Sequence, residues 1–228
     1  MFSNHHTKGN GDVAGSGLKS QHNRLACRRV REKWQGAKGK RVSNQQQWVG
    51  IDWGTSNLRA WLIEPGGMIT ASTQSDQGMS NLTPDQYSPV LRSLLSELHV
   101  PFEEKLDVWI CGMAGARQGW IEAPYVNVPT PLRALGRASV TPHGAPENAK
   151  VRILPGLSQT GGNDDVMRGE ETQLLGLMAL EPDFEGIVCM PGTHSKWAFL
   201  ANGEVVKFKT VMTGEMYSII CDHSVLRQ

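Results

Sequence analysis

Apolar residues take on a regular period from residue 48 onward. Trp48-Val49-Gly50-Ile51 predicts a buried strand and Leu58 to Ile63 a second. After the Pro65-Gly66-Gly67 turn, Met68 to Thr73 predicts a third, which completes an antiparallel meander. Thr83-Pro84-Asp85 then opens a helix in which Val90, Leu91, Leu94, Leu95 and Leu98 recur at helical spacing, with a stop before Pro101. The short apolar runs Val108 to Cys111 and Val151 to Leu154 predict two further strands. Pro129 to Lys150 reads as a connection and Ser158 to Gly169 as a loop. Glu170 to Leu180 reads as a helix with acids in its first turn. Meander, helix and parallel strand together predict an α/β fold with a mixed sheet flanked by helices.

The pattern repeats itself. Ile51 to Ile63, IDWGTSNLRAWLI, recurs as Cys189 to Ala201, CMPGTHSKWAFLA, with Gly54 matching Gly192, Thr55 matching Thr193 and Ala60 matching Ala198. Trp61 and Leu62 match Phe199 and Leu200, and a second turn follows in each copy, Pro65-Gly66-Gly67 against Asn202-Gly203. A single Gly-Thr turn is an ordinary β-turn composition. Two in register point to a duplicated phosphate-binding hairpin, because glycine permits close backbone approach and N–H groups with hydroxyls converge on an anion. The candidate phosphate ligands are therefore Gly54, Thr55, Ser56 and Asn57 in one turn and Gly192, Thr193, His194 and Ser195 in the other. Lys196 lies just beyond the second. Asp52, ahead of the first turn, is the candidate magnesium ligand. A nucleotide clamped between two related lobes follows.

Further candidates lie between the two copies. Gly112-Met113-Ala114-Gly115 follows a strand directly, as ligand-binding junctions of open α/β sheets do, and marks Met113 as a binding-edge residue. Trp120 and Tyr125 in GWIEAPY suit either a sugar platform or a hydrophobic anchor. At the start of the 170–180 helix, acids are favoured by the helix dipole. A carboxylate there that faces a cleft also suits a general base toward an alcohol. Periodicity does not separate Glu170 from Glu171, and Asp164 and Asp165 are further candidates; Glu170 is taken as the base.

Charge and cysteine content narrow the picture. The net charge of +1 hides an asymmetry: residues 1–46 hold ten of the 23 Lys and Arg but only Asp12 and Glu32 among the acids. That stretch lacks apolar periodicity, which predicts a disordered basic leader. A nucleic-acid or anionic-membrane arm would use the same charge, but no aromatic platform accompanies it, so nucleic acid is not the expected partner. An upstream start codon accounts for it equally well. Cys27, Cys111, Cys189 and Cys221 lie far apart, without a C-x-x-C pair; three of them sit in apolar strand or helix context and read as packing residues, and the expected compartment is the cytoplasm. No run approaches a membrane span.

In this order, the pieces resemble sugar kinases of the actin, hexokinase and Hsp70 superfamily. More narrowly, IDWGTSNLRAWL, CGMAGARQGWIEAPY, ILPGLSQ, DVMRGEETQLLG, MPGTHSKWAF and FKTVMTGEMYSII resemble the 2-dehydro-3-deoxygalactonokinases. The resemblance implies a ribonuclease-H-like, actin-like ATPase fold. Residues 47–186 would form a first domain and 187–228 the start of a truncated second, behind the leader of residues 1–46. It implies ATP-dependent phosphorylation of the 6-hydroxyl of 2-dehydro-3-deoxy-D-galactonate in galactonate breakdown, with ATP and Mg2+ as cofactors and Glu170 deprotonating the hydroxyl. Arg168 and Arg117 would meet the substrate carboxylate, since a bidentate arginine is its usual partner. The alternatives are a truncated, inactive remnant and a kinase for another sugar acid. A homo-oligomer is compatible with the sequence.

Overall fold

The computed structural model describes residues 46–100 and 105–225. The basic leader and the Pro101 helix stop lie outside them, apart from the leader's last residue, Gln46. The first three strands, β1 (Trp48–Trp53), β2 (Leu58–Ile63) and β3 (Ile69–Ser75), form the antiparallel meander that the alternation predicts. β4 (Leu106–Gly112) then lies parallel to β1, and β7 (Ala149–Ile153) parallel to β4. The resulting order β3-β2-β1-β4-β7, three antiparallel strands followed by parallel ones, is the ribonuclease-H-like arrangement.

Alternation places Val49, Ile51 and Trp53 of β1 in one core with Leu58, Ala60 and Leu62 of β2 and Val108 and Ile110 of β4. Helix α1 (Tyr87–Glu97) covers it with Tyr87, Val90, Leu91, Leu94 and Leu95. This helix starts later than the sequence predicts. Pro84–Gln86 is a separate 3-10 turn, held by a capping box between Thr83 and Gln86. At the other end of the core, Trp53, Tyr87 and Trp120 form one aromatic cluster, with Tyr87 and Trp120 stacked at 5.7 Å between centroids. Trp120 is 8% exposed and its Nε1 donates to the His143 carbonyl. Of the two readings of Trp120, the packing therefore favours the hydrophobic anchor, and a sugar platform is corrected. Trp120→Phe should lower stability by about 1–2 kcal/mol, through the lost hydrogen bond and the volume left behind. A urea midpoint measures this.

The second half repeats the meander as β10 (Gly186–Met190), β11 (His194–Ala201) and β12 (Glu204–Met212), with β6 (Thr130–Pro131) on its far edge. Asn202 and Gly203, both at positive φ, turn β11 into β12 as a two-residue hairpin needs. The stretch read as a loop before residue 170 is partly a small sheet. β5 (Tyr125–Asn127), β8 (Gly156–Gln159) and β9 (Asp165–Met167) pair in the order β5-β8-β9. These strands are too short to register as periodic.

Helix α2 (Glu170–Leu180) sends Leu174 into a second core with Met167, Met190, Ala198, Leu200, Val205 and Phe208. Leu132 and Leu135, from the 3-10 helix Leu132–Ala138 inside the predicted connection, close it. That core draws side chains from both sides of residue 186. Helix α3 (Gly214–His223) has no buried residue, and Met216, Tyr217, Ile219 and Ile220 are exposed on it. On β12, Val211 is exposed, whereas Val205 and Phe208 are buried. Of the cysteines read as packing residues, Cys189 is exposed and Cys111 and Cys221 are half-buried.

Candidate functional site

The first turn is built backwards onto a glycine. The carbonyls of Gly54, Thr55 and Ser56 accept hydrogen bonds from the N–H groups of Met79, Ser80 and Gly78, at 3.0, 2.9 and 3.3 Å. A Cβ on Gly78 would stand 2.3 Å from the Ser56 carbonyl carbon and 2.4 Å from the Thr55 oxygen, so only glycine permits this approach. A trans peptide holds each C=O antiparallel to the next N–H. Three carbonyls turned toward the Gly78 segment therefore turn the N–H groups of Thr55, Ser56 and Asn57 away from it, on the exposed side of the turn. Adjacent amides aimed outward make an anion-binding concavity.

The second turn uses the same device. Gly192 and Thr193 offer their carbonyls to Gly214 N–H, at 3.1 Å, and to the N–H groups of Thr213 and Glu215, at 3.3 and 3.1 Å. A Cβ on Gly214 would come within 2.8 Å of the Gly192 oxygen. The N–H groups of Thr193 and His194 accordingly point the other way. His194 Nε2 meets Glu215 Oε2 at 2.5 Å, which ties this turn to the first turn of α3. The duplication thus extends to the segments behind both hairpins. Gly78 and Gly214 escaped the sequence analysis because they lie at different distances from their turns and share no surrounding motif.

Three chain ends meet beside Asp52. Gly112, at φ 87° and ψ −148°, ends β4, and a Cβ there would stand 2.6 Å from the Trp53 carbonyl and 3.4 Å from Asp52 Oδ1. A Cβ on Gly169, which precedes α2 at φ 107°, would lie 3.5 Å from Gly112 Cα. Two glycines in backbone conformations that other residues rarely adopt thus bring the start of α2 against the ends of β1 and β4. Asp52 is half-buried, and burial raises its carboxyl above the ordinary range, against the opposing pull of Arg59. A bound cation would offset that desolvation. Among the described residues no group of three or more His, Cys, Asp or Glu is placed to hold a metal by itself. A single carboxylate next to an amide turn that could take phosphates fits magnesium, which keeps several waters and is held through phosphates.

The two glutamates of α2 have different surroundings. Glu170 is half-buried and its Oε2 accepts the Arg168 N–H at 3.2 Å. Glu171 is fully buried and its Oε2 accepts the Gly169 N–H at 2.6 Å; burial pushes its carboxyl up to about 8. Cys111, beneath them, donates to the Ile51 carbonyl, and its thiol is pushed up to about 12, chiefly by burial and then by the charges of Asp52 and Glu171. It is an inert packing thiol at neutral pH.

Arg168 lies over the Tyr125 ring at 4.3 Å, and its Nη2 donates to the Ala123 carbonyl at 2.8 Å. Its Nη1 is buried beside Gly115 without a hydrogen-bond partner among the described residues. Tyr125 is exposed and Met113, in the 3-10 turn Met113–Gly115, half-buried. Arg117 is exposed, with no hydrogen bond or ion pair among the described residues. Of the two alternative acids, Asp164 Oδ1 caps the Gly161 N–H and Asp165 is engaged with Thr210. Lys196 differs most from its expected role. It is 8% exposed, and its ammonium is committed to the Val166 carbonyl at 2.6 Å and the Thr210 hydroxyl at 2.7 Å, which corrects its reading as a phosphate ligand.

The site can thus accept anions at two backbone turns, a cation at Asp52, and a proton at Glu170. Known proteins resemble the chain. Residues 52–228 match the family model described as 2-keto-3-deoxy-galactonokinase. The chain is 44% identical over 181 residues to a Rhizobium meliloti (strain 1021) protein named "Probable 2-dehydro-3-deoxygalactonokinase", and 38% identical to the Escherichia coli (strain K12) 2-dehydro-3-deoxygalactonokinase. These matches cover 78% and 79% of this chain and 58% of each relative, so the chain spans somewhat over half their length. A Sinorhizobium meliloti crystal structure, described as a candidate 2-dehydro-3-deoxygalactonokinase, superposes with a TM-score of 0.71 at 42% identity, covering 78% of this chain and 58% of that one. With the duplicated turns and the α2 carboxylates in place, the chain belongs to the 2-keto-3-deoxy-galactonokinase family.

Proposed function

We propose that the protein acts in ATP-dependent phosphorylation of the 6-hydroxyl of 2-dehydro-3-deoxy-D-galactonate. The observation that carries this reading is the pair of outward-facing amide turns, each backed by a glycine segment, together with the approach of the Glu170 helix start to the ends of β1 and β4 beside the first turn. Phosphoryl transfer needs positioning and neutralised charge more than covalent help from the protein. The N–H groups of Thr55, Ser56 and Asn57 and those of Thr193 and His194, with the exposed Ser56 and Thr193 hydroxyls beside them, hold the phosphates of ATP, whereas Ser195 is 3% exposed and is corrected as a phosphate ligand. Asp52 holds the magnesium ion, which when bound draws charge from the phosphate oxygens. Glu170, rather than the fully buried Glu171, orients the sugar hydroxyl and takes its proton.

The substrate carboxylate falls to Arg168, which is half-buried over the Tyr125 ring, with Arg117 as the exposed cation nearby in sequence. Met113 and Tyr125 border that end of the site. The same reading takes residues 47–186 as the part that brings sugar and base, and residues 187–228 as the start of the part that brings the second turn.

An ADP-release assay with ATP, magnesium and 2-dehydro-3-deoxygalactonate tests the proposal, with calorimetric titration of the sugar acid alongside. Turnover specific to that keto acid supports it. Faster turnover of another sugar acid would reassign the substrate, and binding without turnover would leave only the keto-acid site.

A further inference from the structure

The open edge of β12 is closed by side chains rather than by a strand. β6 pairs with it only at Glu204 and Val205. Beyond that point the Phe208 N–H donates to Gln159 Oε1 at 2.9 Å and the Thr210 N–H to Asp165 Oδ2 at 2.6 Å. Residues two apart on a strand direct their N–H groups to the same edge. Gln159 of β8 and Asp165 of β9 thus stand in for the missing neighbour.

At Thr210 this edge becomes a connected polar network. Its hydroxyl donates to Asp165 Oδ1 at 2.6 Å and accepts from Lys196 Nζ at 2.7 Å, and Lys196 also donates to the Val166 carbonyl of β9. Lys196 faces Thr210 across the β11–β12 register. A buried ammonium is costly unless it is paired, and Asp165 is the carboxylate that the Thr210 hydroxyl joins to it. Along the chain, Lys196 directly follows the second phosphate turn. Asp165 and Val166 precede Arg168, Gly169 and Glu170 by only a few residues.

We infer that Lys196, Thr210 and Asp165 form a latch that sets the start of α2 against the second phosphate turn. On this view Lys196 and Asp165 are positioning residues rather than ligands of nucleotide or sugar. The catalytic part of the inference rests on the phosphoryl-transfer reading above; the mechanical part does not.

Thr210→Val removes the hydroxyl while keeping the branched shape, and Thr210→Ser restores it. Hydrogen exchange on the full chain, without ligand, should rise about tenfold at the amides of Gly169 to Leu174 in Thr210→Val and in Lys196→Met. The β1 amides should be unaffected, and Thr210→Ser should return exchange to the parent rate. The double variant should change no more than the larger single, because both remove one network. In turnover, Thr210→Val should lower kcat about tenfold with the KM for ATP changed less than about twofold.

Unchanged exchange at 169–174 in Thr210→Val would overturn the latch. So would a raised KM for ATP in Lys196→Met alone, which would return Lys196 to the phosphates. A parent chain that exchanges as predicted on substitution but shows no turnover would keep the latch and remove only the kinase reading.

Discussion

Glu170→Gln should lower turnover by about a thousandfold while binding of the sugar acid changes only a few-fold. Glutamine keeps the shape of the side chain and an oxygen that can accept the Arg168 N–H, so the start of α2 should hold its form. What it removes is the capacity to take a proton, and a positioned general base contributes about 10²- to 10⁴-fold. An interaction made only in the transition state lowers kcat and kcat/KM together, and that is the expected signature. Glu171→Gln is the comparison, because Glu171 is sealed from solvent and its carboxyl is occupied by the Gly169 N–H. It should cost far less. ADP release and calorimetry on both variants decide the matter: an active Glu170→Gln beside a dead Glu171→Gln would move the base to the buried position.

Stability should depend on pH through Glu171. Burial pushes its carboxyl from the ordinary 4.5 up to about 8 in the folded protein. Between those values the folded chain keeps a proton that the unfolded chain has released. The stabilisation is complete below about pH 4.5, is lost as pH rises toward about 8, and levels off beyond. Each unit is worth about 1.4 kcal/mol, which makes the whole loss on the order of 3 to 5 kcal/mol. A glutamine at 171 resembles the protonated acid, donating and accepting in the same places without a proton to lose. Urea unfolding at several pH values should therefore slope downward in the parent and be nearly flat in Glu171→Gln. An equal slope in both would assign the dependence to other groups, with Asp52 next in line because burial raises it too.

Much of this arrangement is legible along the chain. Alternation from Trp48 to Ile63 and its recurrence from Cys189 to Ala201 determine two antiparallel hairpins, because a period of two admits one face to a core and a one-residue slip would reverse it. The Leu-rich helical spacing after residue 87 and the acids that open α2 are local signals of the same kind. Gly54 and Gly192 announce the turns. The exposed positions in those turns and the identity of the acidic candidates follow from the same reading.

Other features depend on distant approach. Trp120 becomes a core anchor because Tyr87 stacks on it and Trp53 packs edge-on against it, both from elsewhere in the chain. Glu170 and Glu171 share one helical turn and identical chemistry; they differ only in which is enclosed between β4 and α2, a matter of helix rotation that adjacent residues do not encode. Lys196, next to a phosphate turn in sequence, is drawn away by Val166 and Thr210, partners 30 and 14 residues distant. Gly78 and Gly214 earn their places by contacts with backbone that no local pattern foretells.

By itself, the sequence determined the longer elements, the duplication and the chemical inventory of the site, since propensity, period and turn chemistry act over a few residues. Tertiary structure alone decided which carboxylate is open and which is sealed, which cation is committed to the scaffold, and which way the turn amides face. Those outcomes depend on burial and on hydrogen bonds between segments far apart in the chain, and both exist only once the segments have packed.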